Sequence, residues 1–384
     1  MEVAYLTTYD SRDLSQWSGS GYFIGRAIRR QFNNFTVMGP LQRPLGLIGR
    51  ARETFYPVLL HKDWAWEREV SVARDYARQA EQKLRRSQAD FVFSPGSVPI
   101  AFLQTDKPIF FWTDAVFAGM LDYYPEYCNL HPRIIEAGNI VERDALSRCR
   151  LVFFASEWAA ESAIANYAVP AAKVRVVPFG ANIGRGISYE EALTVIAARS
   201  RTVCKLLFVG VDWLRKGGDI VLRVAEELTA QGLEVELHIV GCRPGGAANL
   251  PAYVINHGFI NKADKNGTRE LAGLFAEAHF LLVPSRQECY GLVFCEAAAS
   301  ALPAIAAKTG GIPTIIKDGV NGITFAPEAE AADYCAFIAE YFGDWRRYKA
   351  LALSSYNEYC RRLNWQTAGA AVKESILDCM AAEG

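Results

Sequence analysis

Short apolar runs alternate along this chain with longer stretches whose apolar positions recur every three or four residues. The short runs read as strands buried on both faces, and the longer stretches as amphipathic helices. In the first half the pattern predicts strands at Val3–Thr7, Phe91–Ser94, Ile109–Trp112, Leu151–Ala155 and Val174–Pro178, and a long polar helix over Asp63–Ser87. In the second half it predicts strands at Lys205–Val209, Glu234–Val240, Tyr253–His257, Phe280–Val283 and Ala304–Ala307. Helices are expected near Gly218–Gln231, Thr268–Ala278 and Leu292–Ala301. Such alternation argues for an α/β protein with parallel sheets covered by helices.

Residues 181–203 contain no good strand and read as a connection between domains. From Glu328 onward the periodicity is helical, and Trp345, Tyr348, Tyr356 and Trp365 are expected in the core or at a docking face. A length of 384 residues is too great for one ordinary core. The expected division is residues 1–182, 183–364 and a final helix over 365–384 that crosses back to the first domain.

Composition narrows the class. A hydrophobic share of 51% and a charged share of 22% fit a soluble globular protein, and a net charge of −1 gives no support for nucleic-acid binding. The nine cysteines form no C-x-x-C pair, which argues against a zinc site or a disulfide framework and for reduced thiols in the cytoplasm. The start, Met1–Thr8, lacks a basic leader and reads as a first strand. No run approaches the roughly 20 apolar residues that span a bilayer. Two basic clusters, Arg26/Arg29/Arg30 and Lys83/Arg85/Arg86, read as solvated helix faces and leave peripheral contact with the inner face of a membrane open.

The chemistry concentrates in Ser285-Arg-Gln-Glu-Cys-Tyr-Gly-Leu-Val-Phe-Cys-Glu296. An apolar strand precedes it and a small-residue helix follows, so Glu288 falls in the loop at the carboxyl end of a strand, where open α/β sheets bind ligands. Glu296 falls in the second helical turn, and Gly291, Leu292 and Val293 sit where unpaired N–H groups can hold an anion. One carboxylate can reach a ribose diol, the other a sugar hydroxyl, with phosphate between them. Upstream, Arg215-Lys216-Gly217-Gly218 ends another strand-to-helix loop, and adjacent cations beside glycines suit a diphosphate.

Other segments allow two readings each. Gly241–Gly246 and Gly258–Lys262, with Ile260 at its centre, can border a base or ribose or be ordinary turns. Gly310-Gly-Ile-Pro313 can approach sugar or phosphate or simply end a strand. In the first half, Trp17-Ser-Gly-Ser-Gly21 precedes a helix starting near Tyr22, and its Gly19 and Gly21 can close over phosphates. Asp114 can accept a hydrogen bond from a sugar hydroxyl or cap a helix. Asn182 reads as a turn residue, and His131 and His257 read as structural rather than metal ligands.

Together these segments resemble the retaining glycosyltransferases of family 4. The E-x7-E pattern of Glu288 and Glu296 carries most of the resemblance, supported by Lys216-Gly217, Val240-Gly241, Gly258-Phe259 and Thr309-Gly-Gly311. Ala155-Ser-Glu-Trp158 and Pro178-Phe-Gly-Ala-Asn182 look like the end of the family's first domain. The resemblance implies the GT-B architecture, two facing Rossmann-like domains with a cleft between them, and a hexosyl transfer that needs no metal. The donor would be a nucleotide-diphosphate sugar, with UDP or GDP the expected nucleotide, and no further cofactor. The acceptor would be a glycan, lipid or small metabolite. Glu296 would hold the ribose, Glu288 the donor sugar, and Arg215, Lys216 and the N–H groups of Leu292 and Val293 the diphosphate. Val211 stands where many members have arginine, and Asp114 where many have histidine. A nucleotide-sugar epimerase and a non-catalytic sugar-nucleotide binder are the alternatives.

Overall fold

The structure, a computed structural model, describes residues 1–44, 61–245, 250–262 and 264–382. It divides into two compact units, one made of Met1–Pro178 with the residues from Ala368 onward, the other of Phe179–Thr367.

The first unit is built on a six-stranded parallel sheet: β1 (Glu2–Tyr5), β2 (Asn34–Val37), β3 (Phe91–Ser94), β4 (Ile109–Thr113), β5 (Leu151–Phe154) and β6 (Val174–Val176). The spatial order is β2-β1-β3-β4-β5-β6. Every residue of β3, β4 and β5 is buried, so these strands read as continuous apolar runs. The periodicity missed β2. That strand lies at the edge and carries three exposed residues, so burial leaves no apolar run to detect. The helix expected over Asp63–Ser87 is shorter, Val70–Leu84, and follows a 3-10 turn at Trp66–Arg68. Its buried Val72, Ala73, Tyr76, Ala77, Ala80 and Leu84 make one stripe. Before it, Trp64 packs on a separate apolar cluster of Phe117, Leu130 and Ile134, and Asp63 bridges to Leu130. These contacts draw the segment off the helix axis.

The second unit repeats the plan: β7 (Cys204–Val209), β8 (Val235–Val240), β9 (Val254–Gly258), β10 (Phe280–Val283), β11 (Ala304–Ala307) and β12 (Gly322–Phe325), in the order β12-β11-β10-β7-β8-β9. All pairs are parallel. The unexpected strand is again an edge, β12, where only Gly322 is buried. The stretch 181–203 has no strand but holds a helix, Tyr189–Ala198, started by a reciprocal cap between Ser188 and Glu191. The next residue, Arg199, is buried and donates to the carbonyls of Ala276, Ala301 and Ser300 and to the Tyr348 hydroxyl. Tyr348, Tyr356 and Trp365 are buried. Among the described residues no helix is long and apolar enough to cross a membrane.

Both sheets have a point where the chain reverses its direction of winding. In the first unit β1 leads to β2 on one side, and β3 adds on the other. In the second, β7, β8 and β9 run one way and β10, β11 and β12 the other. The crevice at such a point, outside the carboxyl ends of the strands, is where this fold class binds ligands.

Candidate functional site

In the second unit the reversal falls between β7 and β10, so the loops after these strands are neighbours. The first loop, residues 210–217, leads into the helix Gly218–Ala230; the second, residues 284–291, leads into the helix Leu292–Ala299. Gly217 has φ +76°, and a Cβ on it would lie 2.2 Å from the Pro284 carbonyl oxygen. Only glycine lets the loops approach this closely. Arg286 then ties them together. Its backbone N–H donates to the Arg215 carbonyl at 2.8 Å, and its guanidinium donates to the Leu214 carbonyl at 2.5 Å. It also donates to both Asp219 carboxylate oxygens at 2.8 Å. Those hydrogen bonds hold the Asp219 carboxyl below its ordinary range and raise the arginine in return. The Arg215 guanidinium donates to the Gln287 carbonyl at 3.1 Å.

Each candidate carboxylate has a lysine. Glu288, 7% exposed, pairs with Lys216 of the β7 loop. The Ser285 hydroxyl also lies 3.4 Å from the same Glu288 oxygen. Glu296, 2% exposed, lies on the helix Leu292–Ala299 and pairs with Lys262 at 2.6 Å. An isolated buried carboxylate costs several kcal/mol, and a paired cation offsets that cost. The turn after β11 braces the Glu288 loop from behind. The Gly311 N–H donates to the Glu288 carbonyl at 3.1 Å, and the Thr309 hydroxyl donates to the Ser285 carbonyl at 2.9 Å.

Gly291 begins the helix with φ +101°, and a Cβ there would lie 2.6 Å from the Phe294 ring. Leu292 and Val293 occupy the first two helical positions, whose N–H groups have no carbonyl one turn earlier to bond to. A helix start, adjacent cations and two carboxylates thus meet at one end of the sheet. The cations and N–H groups can hold an anion, and the carboxylates can accept from hydroxyls.

The remaining candidates divide by unit. Ile260, after β9, is a buried side chain, whereas its neighbour Phe259 is 73% exposed. The turn Gly241–Gly246 is described as far as Gly245, with Gly246 outside the described residues, and the Gly241 N–H donates to the Gly258 carbonyl at 2.7 Å. Asp114, Gly19 and Gly21 belong to the first unit. Asp114 follows β4, and the short helix Phe117–Met120 beyond it is capped at Val116, so Asp114 is not its cap. Gly19 is the residue before the helix Ser20–Arg29, and Trp17 and Ser18 also have positive φ, 47° and 51°. Gly21 lies inside that helix, where its carbonyl accepts from the Tyr5 hydroxyl at 2.7 Å. His131 caps the helix Pro132–Arg148 by accepting from the Arg133 N–H.

Two residues of the site escaped the sequence analysis: Lys262, as the partner of Glu296, and Arg286, as the clamp between loops. Lys262 stands 34 positions from Glu296, and no local spacing links them. Arg286 lies inside the motif, two residues before Glu288, but its partner Asp219 is 67 positions away.

Two α/β units, each on a six-stranded parallel sheet with ligand-side loops at the strand ends, are the architecture of the GT-B glycosyltransferases. Residues 204–344, which contain the whole second-unit site, match the family described as Glycosyl transferases group 1. The chain is similar to the D-inositol 3-phosphate glycosyltransferase of Segniliparus rotundus, 30% identical over 187 residues that make up 45% of this chain and 41% of the relative. The matches span about half the length of the curated relatives. Among solved structures it is similar to the sucrose-phosphate synthase of Thermosynechococcus elongatus, with TM-score 0.69 and 15% identity over 100% of both chains. It is also similar to Anabaena HepE in complex with UDP and glucose, with TM-score 0.60 and 15% identity over 98% of this chain and 99% of that one.

Proposed function

We propose that this protein is a retaining glycosyltransferase of the family-4 type, which moves a hexosyl group from a nucleotide-diphosphate sugar to an acceptor hydroxyl. The observation that carries the reading is the meeting of Lys216 with Glu288, beside Lys262 with Glu296, at the reversal point of the second sheet. The match of residues 204–344 to glycosyl transferases supports it. Glu296 accepts from the ribose hydroxyls, and Glu288 accepts from a hydroxyl of the donor sugar. Lys216, Arg215 and the N–H groups of Leu292 and Val293 face the diphosphate.

The bond between the anomeric carbon and the phosphate oxygen breaks, and the acceptor oxygen bonds to that carbon on the same face. The acceptor proton passes to the leaving diphosphate, so the products are a glycoside and a nucleoside diphosphate. Charge grows on the bridging oxygen as the bond stretches, and fixed cations and N–H dipoles stabilise it more in the transition state than in the ground state. These cations supply the positive charge that a metal provides elsewhere, so transfer is expected to proceed in EDTA. The first unit is taken as the acceptor side, where Asp114 can accept from an acceptor hydroxyl.

UDP and UDP-glucose are the first donors to test, because HepE is described with UDP and glucose, followed by GDP sugars. The names of these similar proteins, a D-inositol 3-phosphate glycosyltransferase and a sucrose-phosphate synthase, suggest small phosphorylated sugars and polyols as first acceptors. The test combines a thermal-shift screen of nucleoside diphosphates with NMR of the product. Selective stabilisation by one nucleotide and an axial product from an axial donor support the reading. An inverted product refutes retention, and an isomerised donor without transfer identifies an epimerase instead.

A further inference from the structure

Both carboxylates of the site are already paired with lysines, and one of these lysines is assigned to the diphosphate. We infer that donor binding is an exchange of ion-pair partners, in which the diphosphate takes Lys216 from Glu288 and thereby turns Glu288 toward the donor sugar. The inference rests on the donor-site reading above and extends it to the order in which the site is assembled.

Lys216 and Glu288 have side chains only 12% and 10% exposed, so the pair is poorly screened by water and salt. The ammonium stands at the end of the β7 loop, directly before Gly217, and the carboxylate stands three residues before Gly291, where the anion-binding helix start begins. A diphosphate at that helix start lies close to Glu288, and the two negative groups compete for one cation. Glu288 has a substitute in place, since the Ser285 hydroxyl lies 3.4 Å from the oxygen that Lys216 holds. That hydroxyl offsets part of the cost when the ammonium leaves, and a hydroxyl of the donor sugar offsets the rest. Lys216 cannot drift far, because the Arg215 carbonyl before it accepts from the Arg286 N–H and Gly217 after it packs on Pro284.

The exchange has two consequences. An empty site is neutral at this point, so water and stray anions have little hold on Lys216. A nucleoside diphosphate alone frees Glu288 without giving it a sugar to hold, whereas the complete donor satisfies both partners. The pair thus favours the loaded donor over the spent nucleotide, which helps the product leave.

The variant Glu288→Gln keeps the shape and removes the competing charge. UDP, with GDP in parallel, is titrated calorimetrically into the native protein, Glu288→Gln, Lys216→Met and the double variant. With no carboxylate competing for the Lys216 ammonium, Glu288→Gln is expected to bind the nucleoside diphosphate about fivefold or more tightly than the native protein. Its affinity for the nucleotide sugar should gain less, because the sugar contact is weakened, and turnover should fall. In the Lys216→Met background the gain from Glu288→Gln should disappear. Equal or weaker UDP and GDP binding by Glu288→Gln, with its melting profile unchanged, overturns the exchange. A gain that persists without Lys216 also overturns it, because Glu288 then acts by direct repulsion. If Lys216→Met and Glu296→Gln both bind the nucleotide as the native protein does, the donor-site assignment itself fails.

Discussion

Lys262 places its ammonium 2.6 Å from the carboxylate of Glu296, although the two are separated by 34 positions and lie on different elements. The glutamate is 2% exposed, while the lysine side chain is 49% exposed. The lysine therefore brings charge from the surface to a carboxylate that the helix buries. Removing it leaves a buried charge without its partner, whereas removing both leaves none.

Lys262→Met is expected to destabilise the protein by about 1–3 kcal/mol, the cost of leaving a buried group unsatisfied. Lys262→Arg should restore most of the loss. Glu296→Gln should weaken nucleotide binding by about 1 kcal/mol, the difference between a hydrogen bond to a charged acceptor and one to a neutral acceptor. Urea unfolding and calorimetric titration measure the two effects. A Lys262→Met protein as stable as the native one means that water alone satisfies Glu296.

Lys216→Ala should lower kcat by about 100-fold or more, the scale on which a single transition-state donor acts. The protein should remain folded. Transfer at the native rate would remove Lys216 from the diphosphate.

Asp114→Ala tests the first-unit half of the proposal. Asp114 follows β4 of the first sheet, whereas Arg215, Lys216, Glu288 and Glu296 belong to the second unit. Transfer should fall by about tenfold or more, the fold-change that corresponds to losing one hydrogen bond to a charged group, while UDP affinity stays unchanged. A matching loss of nucleotide affinity would place Asp114 at the nucleotide instead.

His279 supplies a pH dependence of stability. It is fully buried just before β10, accepts from the Lys205 N–H at 3.0 Å and lies 2.7 Å from the Ser200 carbonyl, to which its other ring nitrogen donates. Burial, with the cations of Arg199 and Lys205 nearby, lowers its pKa from 6.5 to about 4. As pH falls below 6.5 the unfolded chain takes up a proton that the folded one refuses, so the stability is complete above 6.5 and is lost on the way down to 4. The loss amounts to about 3 kcal/mol. Chemical denaturation of native and His279→Gln proteins across that range should show a flatter profile for the variant. Equal slopes would assign the acid sensitivity elsewhere.

The central strands were legible because parallel strands buried on both faces become unbroken apolar runs. Phe91–Ser94, Ile109–Thr113 and Phe280–Val283 are examples. The edge strands Asn34–Val37 and Gly322–Phe325 were not legible, because each offers only two apolar residues in alternation over four positions and no unbroken run. The start of the helix Val70–Leu84 was misjudged by several residues, since Trp64 finds its partners in a cluster that local periodicity does not see.

In the site, Glu288, Gly291 and Glu296 were readable from one continuous segment, because a strand, a tight turn and a helix start are set by neighbouring residues. The proximity of Lys216 to Glu288 and of Lys262 to Glu296 was not. Those pairs depend on which strands lie side by side and on how far a helix buries one of its faces. The chain by itself determined its elements and the chemistry available at their ends, since periodicity and turn residues act over a few positions. The tertiary structure alone decided which charges meet, because strand order brings together loops that are 72 positions apart and burial makes each unpaired charge costly.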